Sequence, residues 1–184
     1  MSSESDILKE IAENSNVKFY KRPLELCEDN VGSDLFVHDF IKNVDCDVIV
    51  QILPTSPFIT AEQIKQFVSL STNYDTVVST TPVRIESLYD GVPINFKRSE
   101  PTPPSQDLTP IQAYACSLMS WDVDLYNSNM ERFGCAYHGG EGSVGYYEIT
   151  GYGALDIDEE DDFVLAEAIA HSLQQPNTRP KYYD

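Results

Sequence analysis

The sequence predicts an α/β fold with a mixed, mainly parallel sheet. Two short segments, 46–53 (CDVIVQIL) and 76–83 (TVVSTTPV), are rich in β-branched residues, a pattern typical of parallel strands that are covered on both faces. Amphipathic segments with helix-capping signals alternate with these strands. This alternation predicts β-α-β order, in which consecutive strands lie parallel and helices cover the sheet.

The first predicted helix follows Ser5, whose hydroxyl is a suitable N-cap. Its apolar residues fall at helical spacing on one face, which is expected to face the core: Ile7, Leu8, Ile11 and Ala12. A short strand is predicted over residues 17–20.

A second helix is predicted from Ser33, and it leads into the strand over 46–53. The turn PTSP at 54–57 ends that strand. Thr60 and Gln63 then form a capping box for a third helix over 61–70. A strand that ends in a hydroxyl-bearing turn before a helix is a common rim of a ligand site in α/β proteins.

The second half of the chain is richer in loops. An Asp-Gly turn runs into a short strand, and a proline-rich segment follows, so an excursion from the core is predicted over about residues 84–110. A core strand is predicted over 111–121, and the Gly- and Tyr-rich stretch 135–153 is assigned as loops with one short strand.

The last predicted elements are a strand over 154–158 (ALDID) and a helix over 159–173. The acids at the start of this helix suit its positive N-terminal dipole. Its inner face is expected to carry four apolar side chains: Phe163, Ala166, Ile169 and Leu173.

Composition limits the classes of protein. With 184 residues, 41% of them hydrophobic, the chain is predicted to form one domain over 1–175, followed by a tail over 176–184. A formal net charge of -18 opposes binding to nucleic acid or to an anionic membrane. The four cysteines show no C-x-x-C spacing, and neither a signal peptide nor a membrane span is recognisable, so a cytoplasmic protein is expected.

Four segments carry a resemblance to a known family. They are, in order, YKRPLELCEDNVGSD (20–34), VIVQILPTSPFITAEQI (48–64), TVVSTTPV (76–83) and GYGALDIDEEDDFVLAEAI (151–169). Together they resemble the CMP-sialic acid synthetases, or acylneuraminate cytidylyltransferases, over about residues 5–172. The resemblance implies a three-layer nucleotidyltransferase fold of Rossmann-like type and a homodimer formed through the excursion.

The resemblance also implies a reaction. In this family the anomeric hydroxyl of a nonulosonic acid attacks the α-phosphate of CTP, which releases pyrophosphate and gives a CMP-sugar. The turn PTSPF points to the sialic, legionaminic or pseudaminic branch and away from the Kdo transferases. The chemistry requires alignment and charge neutralisation, so Mg²⁺ held by carboxylates is expected.

Six residues match functional positions of the family, and a seventh candidate, Gln51, lies two residues before the place where many members have Gln. Asp156 and Asp158 match its metal-binding D-x-D, and Asp158 is also assigned to catalysis. Arg22 matches an arginine near the reacting hydroxyl or the triphosphate. Because an arginine side chain does not readily release its proton, electrostatic stabilisation is favoured over general-base catalysis as its role. Substrate contacts are assigned to Ser33, Gln51, Thr55 and Ser56.

Each assignment has a structural alternative. Asp156 and Asp158 could simply compensate the helix dipole, Arg22 could be a surface residue beside a proline turn, and the hydroxyls of the turn could only cap the strand. The family pattern is also incomplete, because Leu53 and Ile59 stand where many members have Gln and Arg.

The family's strand and phosphate-binding loop before the first matching segment have no counterpart here, so the fold is expected to be N-terminally truncated. The alternative function is therefore a non-catalytic or fragmentary homologue that keeps the sugar-binding half and acts through a binding partner.

Overall fold

The computed structural model describes residues 1–175, and the predicted tail over 176–184 lies outside the described residues. The strands are β1 Ser2–Ser3, β2 Tyr20–Lys21, β3 Val48–Ile52, β4 Thr76–Val83, β5 Leu88–Tyr89, β6 Val92–Pro93, β7 Ile111–Asp122 and β8 Val144–Glu148. The helices are α1 Asp6–Asn14, α2 Ser33–Asn43, α3 Ala61–Ser71, α4 Val123–Phe133 and α5 Glu160–Gln174.

The fold is α/β with a mixed sheet, as predicted. Its four main strands are hydrogen-bonded in the order β3-β7-β4-β8. A parallel pair joins β1 to β2, and an antiparallel hairpin joins β5 to β6. The Asp90–Gly91 turn of this hairpin has φ angles of 48° and 75°, the left-handed values that a two-residue hairpin turn requires. None of the helices within residues 1–175 has the length and apolarity to cross a bilayer.

Local capping signals place the helices correctly. Ser5 accepts a hydrogen bond from the Leu8 backbone at 3.4 Å, as expected for the N-cap of α1. At α3, the Thr60 hydroxyl accepts from the Gln63 N–H at 3.2 Å, and the Gln63 side chain accepts from the Thr60 N–H at 2.9 Å. The capping box read from the sequence is therefore confirmed.

Helix α4 is absent from the sequence-based prediction, although its ends carry clear signals. Asp122 caps its start by accepting from the Leu125 N–H at 2.9 Å. Gly134 ends it with a left-handed φ of 72°, the conformation that favours glycine after a helix.

Three strand predictions need correction. Segment 154–158 is not a strand: a 3₁₀ helix covers Gly151–Ala154, and residues 155–158 have no regular secondary structure. The strand predicted over 17–20 is reduced to β2, which begins at Tyr20. Strand β3 is not covered on both faces, because it lies at an edge of the main sheet and its end residues Val48 and Ile52 are each 47% exposed.

Two predicted helix faces are also wrong. In α1 only Ala12 is buried, whereas Ile7, Leu8 and Ile11 are exposed. In α5 only Ala166 is buried, whereas Phe163 and Leu173 are exposed. The 3.6-residue period correctly identified the helices, but it did not identify how much of the apolar stripe is covered.

The chain divides into two compact units. Unit 1 comprises residues 1–51, 68–78 and 119–145. Its core surrounds Trp121, which is 1% exposed, packs edge-on against Tyr126 and donates from Nε1 to the Tyr137 carbonyl at 2.9 Å. The Asp34 carboxylate fixes the loop after α4 by accepting from the Ala136 and Tyr137 N–H groups at 2.6 and 2.7 Å.

Within the described residues, unit 2 comprises 52–67, 79–118 and 146–175. Its apolar core includes Phe67, which meets the Tyr147 ring edge-on at 5.7 Å, and Leu118 and Ile149. Hydroxyl groups are buried there too: Ser79 accepts from the Leu118 N–H at 3.0 Å. The predicted excursion belongs to this unit and contains the β5–β6 hairpin.

Candidate functional site

The turn at 54–57 continues from β3 and stays attached to β7. The Leu53 N–H donates to the Ser117 carbonyl of β7 at 3.1 Å. The turn closes on itself through the Ser56 N–H, which donates to the Leu53 carbonyl at 3.2 Å. Pro54 and Pro57 restrict the backbone around the two hydroxyl residues between them. The turn is thus a well-defined structure within unit 2.

The segment 153–158 lies against this turn and against β7. The Ile157 N–H donates to the Thr55 carbonyl at 2.9 Å. The buried Ser117 hydroxyl donates to the Gly153 carbonyl at 3.0 Å. These two bonds bring together the PTSP turn and the D-x-D segment, which are remote in sequence.

Two of the predicted site residues meet directly. Ser56 is 3% exposed, and its Oγ lies 3.5 Å from Oδ1 of Asp156. Asp156 is half-buried. Thr55 is also half-buried, and its carbonyl anchors the segment that carries both aspartates. Asp158 is exposed, and its N–H donates to the Asp162 carboxylate at 3.2 Å.

A strained residue of β7 also lies near Asp156. Cys116 has a φ of 54°, a left-handed value that is uncommon for a residue other than glycine and unusual inside a strand. Burial, and after it the negative charge of Asp156, raise the pKa of the Cys116 thiol. Cys116 therefore adds a neutral group, and no positive charge, to the surroundings of the carboxylate.

The acids after Gly153 have no cationic partner in the described chain. The ion pairs within residues 1–175 join Lys9 to Glu13, Lys21 to Asp6, Lys97 to Glu100 and Arg132 to Glu141, and none of them involves the acids of 156–162. Negative charge therefore accumulates beside the turn, and a cation would relieve it.

The available donors fit a hard divalent cation. Asp156 and Asp158 supply carboxylate oxygens, which Mg²⁺ prefers. No group of three or more metal-binding side chains occurs among residues 1–175, so a dedicated protein cage is not present in that part. Mg²⁺ commonly binds through one or two carboxylates together with water and substrate phosphates, and this pair of acids suits that mode.

The remaining predicted site residues belong to unit 1. The Arg22 guanidinium lies 4.7 Å from the centre of the Phe36 ring, and its Nη2 donates to the Ser2 carbonyl at 3.2 Å. Ser33 is the first residue of α2 and is half-buried. Nε of Arg22 and Oε1 of Gln51 are among the buried atoms that have no hydrogen-bond partner within the described residues.

Comparison with known proteins gives the fold. No protein-family model matches the chain, and no curated protein matches it in sequence. The structure is similar to that of a CMP:2-keto-3-deoxy-manno-octonic acid synthetase complexed with CTP, with a TM-score of 0.65 and 8% identity over 94% of this chain and 80% of that chain. The chain has a nucleotidyltransferase fold.

Two further solved structures support the same fold. The 4-diphosphocytidyl-2C-methyl-D-erythritol synthase of Anaerococcus prevotii has a TM-score of 0.59 and 15% identity, covering 90% of this chain and 74% of that chain. The 2-C-methyl-D-erythritol 4-phosphate cytidylyltransferase of Thermus thermophilus has a TM-score of 0.51 and 14% identity, covering 84% and 74%. Since the identities are this low, the likeness shows the fold and not the activity.

Sequence reasoning missed two residues that build the site. Ser117 connects β7 to both other segments, and Gly153 allows the 3₁₀ helix to approach the start of α3. Ser117 was detectable as a small polar residue within the apolar strand ACSLMSW, where a buried hydroxyl needs a partner. Gly153 carried no comparable signal, because its role depends on a contact that forms only in the folded chain.

Proposed function

We propose that the protein is a cytidylyltransferase that activates a sialic-type nonulosonic acid. The anomeric hydroxyl oxygen would form a bond to the α-phosphorus of CTP while the bond to the pyrophosphate oxygen breaks, and the hydroxyl proton would pass to solvent water. The observation that carries the proposal is the junction of the PTSP turn with the D-x-D segment, through the Ile157-to-Thr55 hydrogen bond and the Ser56–Asp156 contact. The nucleotidyltransferase fold supports it.

Asp156 and Asp158 are the proposed ligands of a magnesium ion. A bound Mg²⁺ would neutralise phosphate charge and polarise the reacting phosphoryl group. The protein's own contribution is to place two carboxylates, neither of which has a cationic partner among residues 1–175, beside a turn that is proposed to hold the sugar acid. The lack of a cationic partner for these acids among the described residues supports this role.

The other assigned residues have properties that suit substrate contacts. Thr55 is half-buried and lies beside the D-x-D segment, so its hydroxyl is proposed to contact the sugar acid. Arg22 and Gln51 each have a buried polar atom without a partner among the described residues, and such atoms favour binding a complementary group. Arg22 is proposed to stabilise negative charge near the reacting hydroxyl or triphosphate, and Ser33 and Gln51 to bind substrate.

A homodimer through the excursion belongs to the same proposal. Five apolar side chains on and beside the β5–β6 hairpin are more than half exposed: Ile85, Leu88, Tyr89, Val92 and Ile94. The exposure of several large apolar side chains on one short segment is typical of an interaction surface. A second copy of this chain is the proposed partner.

A substrate panel tests the function. The purified protein is incubated with CTP, Mg²⁺ and each of the sialic, legionaminic, pseudaminic and Kdo acids, and pyrophosphate and CMP-sugar are measured. We expect turnover with at least one of the nine-carbon acids and less with Kdo. A folded sample that binds a nonulosonic acid but releases no pyrophosphate with any of them would contradict the proposal and favour the non-catalytic, sugar-binding alternative.

A further inference from the structure

We propose that Ser56 is a positioning residue, whose hydroxyl orients the Asp156 carboxylate for the metal ion; this inference rests on the proposed function. The role differs from contact with the sugar acid, which the sequence resemblance assigns to this serine. The burial of Ser56, its contact with Asp156 and the backbone hydrogen bonds that hold the turn support this role.

Ser56 is more deeply buried than its neighbour in the turn, so Thr55 is the better placed of the two to contact a substrate. Ser56 is 3% exposed, whereas its neighbour Thr55 is half-buried. A buried hydroxyl that lacks a hydrogen-bond partner is costly, so it must be satisfied inside the protein. The partner that the structure gives to the Ser56 hydroxyl is Oδ1 of Asp156, at 3.5 Å.

The backbone fixes both members of this contact. The Ser56 N–H donates to the Leu53 carbonyl at 3.2 Å, and the Ser56 carbonyl accepts from the Ile59 N–H at 3.5 Å. On the other side, the residue after Asp156 is tied to the residue before Ser56 by the hydrogen bond from Ile157 to Thr55 at 2.9 Å. The two side chains therefore start from backbones that are fixed relative to each other.

In this geometry the two oxygens of the Asp156 carboxylate have different roles. One oxygen of Asp156 faces the Ser56 hydroxyl, and the other remains for a cation. Groups that hydrogen-bond to a metal ligand restrict its rotation, and their removal typically lowers metal affinity by about 10–100-fold. Ser56 is such a group for Asp156, because its hydroxyl lies against the carboxylate that would bind the metal ion.

The test measures metal binding without substrate. Mn²⁺ is titrated into the full chain in place of Mg²⁺, and the free ion is followed by electron paramagnetic resonance. We expect Ser56→Ala to raise the Kd for Mn²⁺ by about 10-fold. Ser56→Cys keeps nearly the same volume with a weak donor, so it is expected to weaken binding as well and serves if the alanine variant folds poorly.

Ser71→Ala is the matched control. Ser71 is also buried, at 8% exposure, and its hydroxyl donates to the Val68 carbonyl at 2.9 Å, so its loss changes stability but not the carboxylate. We expect the Kd of Ser71→Ala for Mn²⁺ to equal that of the wild type. We expect the Kd of Asp156→Asn for Mn²⁺ to be higher than the Kd of Ser56→Ala.

Three results would overturn the inference: an unchanged Kd in folded Ser56→Ala and Ser56→Cys, an unchanged Kd in Asp156→Asn, or no Mn²⁺ binding by the wild type. Failure of the proposed function is distinguished by a separate assay. A wild type that binds Mn²⁺ through Asp156 and Ser56 but releases no pyrophosphate retains the positioning role and loses the cytidylyl transfer.

Discussion

The Arg22 guanidinium has two contacts, and one of its nitrogen atoms has no hydrogen-bond partner within the described residues. Its plane is supported by the Phe36 ring, Nη2 donates to the Ser2 carbonyl, and the buried Nε has no partner within the described residues. A lysine at this position would keep the charge but lose the planar set of donors. This difference makes the role of the arginine testable at the level of one side chain.

We predict that Arg22→Lys lowers kcat/KM for cytidylyl transfer by about 10–100-fold, the cost of losing a hydrogen bond to a charged group. The measurement is the steady-state rate of pyrophosphate release with CTP and the accepted acid. Arg132→Lys is the control, since Arg132 is exposed and paired with Glu141. Wild-type kcat/KM in Arg22→Lys would rule out the catalytic assignment.

The family resemblance assigned the turn and the D-x-D segment to one site, and the structure brings Ser56 and Asp156 into contact. It did not reveal that Thr55 and Ser56 have different surroundings. Ser56 is buried in a turn that is hydrogen-bonded to β7 and to segment 153–158, and these long-range backbone bonds are not visible in the local sequence of the turn. Neighbouring residues of one motif therefore suit different roles.

At the scale of elements, the 3₁₀ helix before Asp156 depends on a glycine. A methyl group at Gly153 would lie 2.9 Å from Cγ2 of Ile149, 3.2 Å from Nε2 of Gln63 and 3.3 Å from Cδ1 of Ile59. Gln63 also donates to the Thr150 carbonyl at 3.2 Å, so the same side chain caps α3 and holds this helix.

We predict that Gly153→Ala destabilises the protein by about 1–3 kcal/mol, the usual cost of overpacking. The free energy of unfolding is measured by urea denaturation. Gly32→Ala is the control, because a methyl group there meets nothing within 4 Å; Gly32 is the N-cap of α2, where alanine is less favourable than glycine, so a smaller loss than at Gly153 is expected. Equal losses of stability in the two variants would contradict the close packing at Gly153.

Helix limits were the most predictable features of the elements. The caps at Ser5 and Thr60 are local, and both form as expected. The segment ALDID alternates apolar and polar residues, but it does not form the predicted strand. Its Ile157 N–H donates to the Thr55 carbonyl in the turn and not to a neighbouring strand. Long-range contacts decided the outcome there, and a local pattern does not contain them.

At the scale of the whole molecule, net charge and apolar exposure act on association in opposite directions. The chain carries a formal charge of -18, which disfavours self-association through polar surfaces, yet the β5–β6 hairpin exposes apolar side chains. Tyr89 and Val92 are 77% and 65% exposed, so burying them against a second copy would remove apolar surface from water.

We predict that the double substitution Tyr89→Ser with Val92→Ser converts a dimer into a monomer. The molar mass is measured by size-exclusion chromatography with light scattering. Ile7→Ser is the matched control, because Ile7 on α1 is 72% exposed but lies outside the hairpin. A monomeric wild type at high protein concentration, or a double variant that remains dimeric, would contradict the assigned interface.

The most direct test of the central claim is magnesium-dependent pyrophosphate release from CTP and a nonulosonic acid, compared between the wild type and Asp158→Ala. Asp161→Ala is the control, since Asp161 is an exposed acid in the first turn of α5. We predict turnover in the wild type and in the control, and a loss of at least about 100-fold in Asp158→Ala, because a metal ligand is removed. Unchanged turnover in Asp158→Ala would contradict the metal site, and no turnover in a folded wild type would contradict the enzyme.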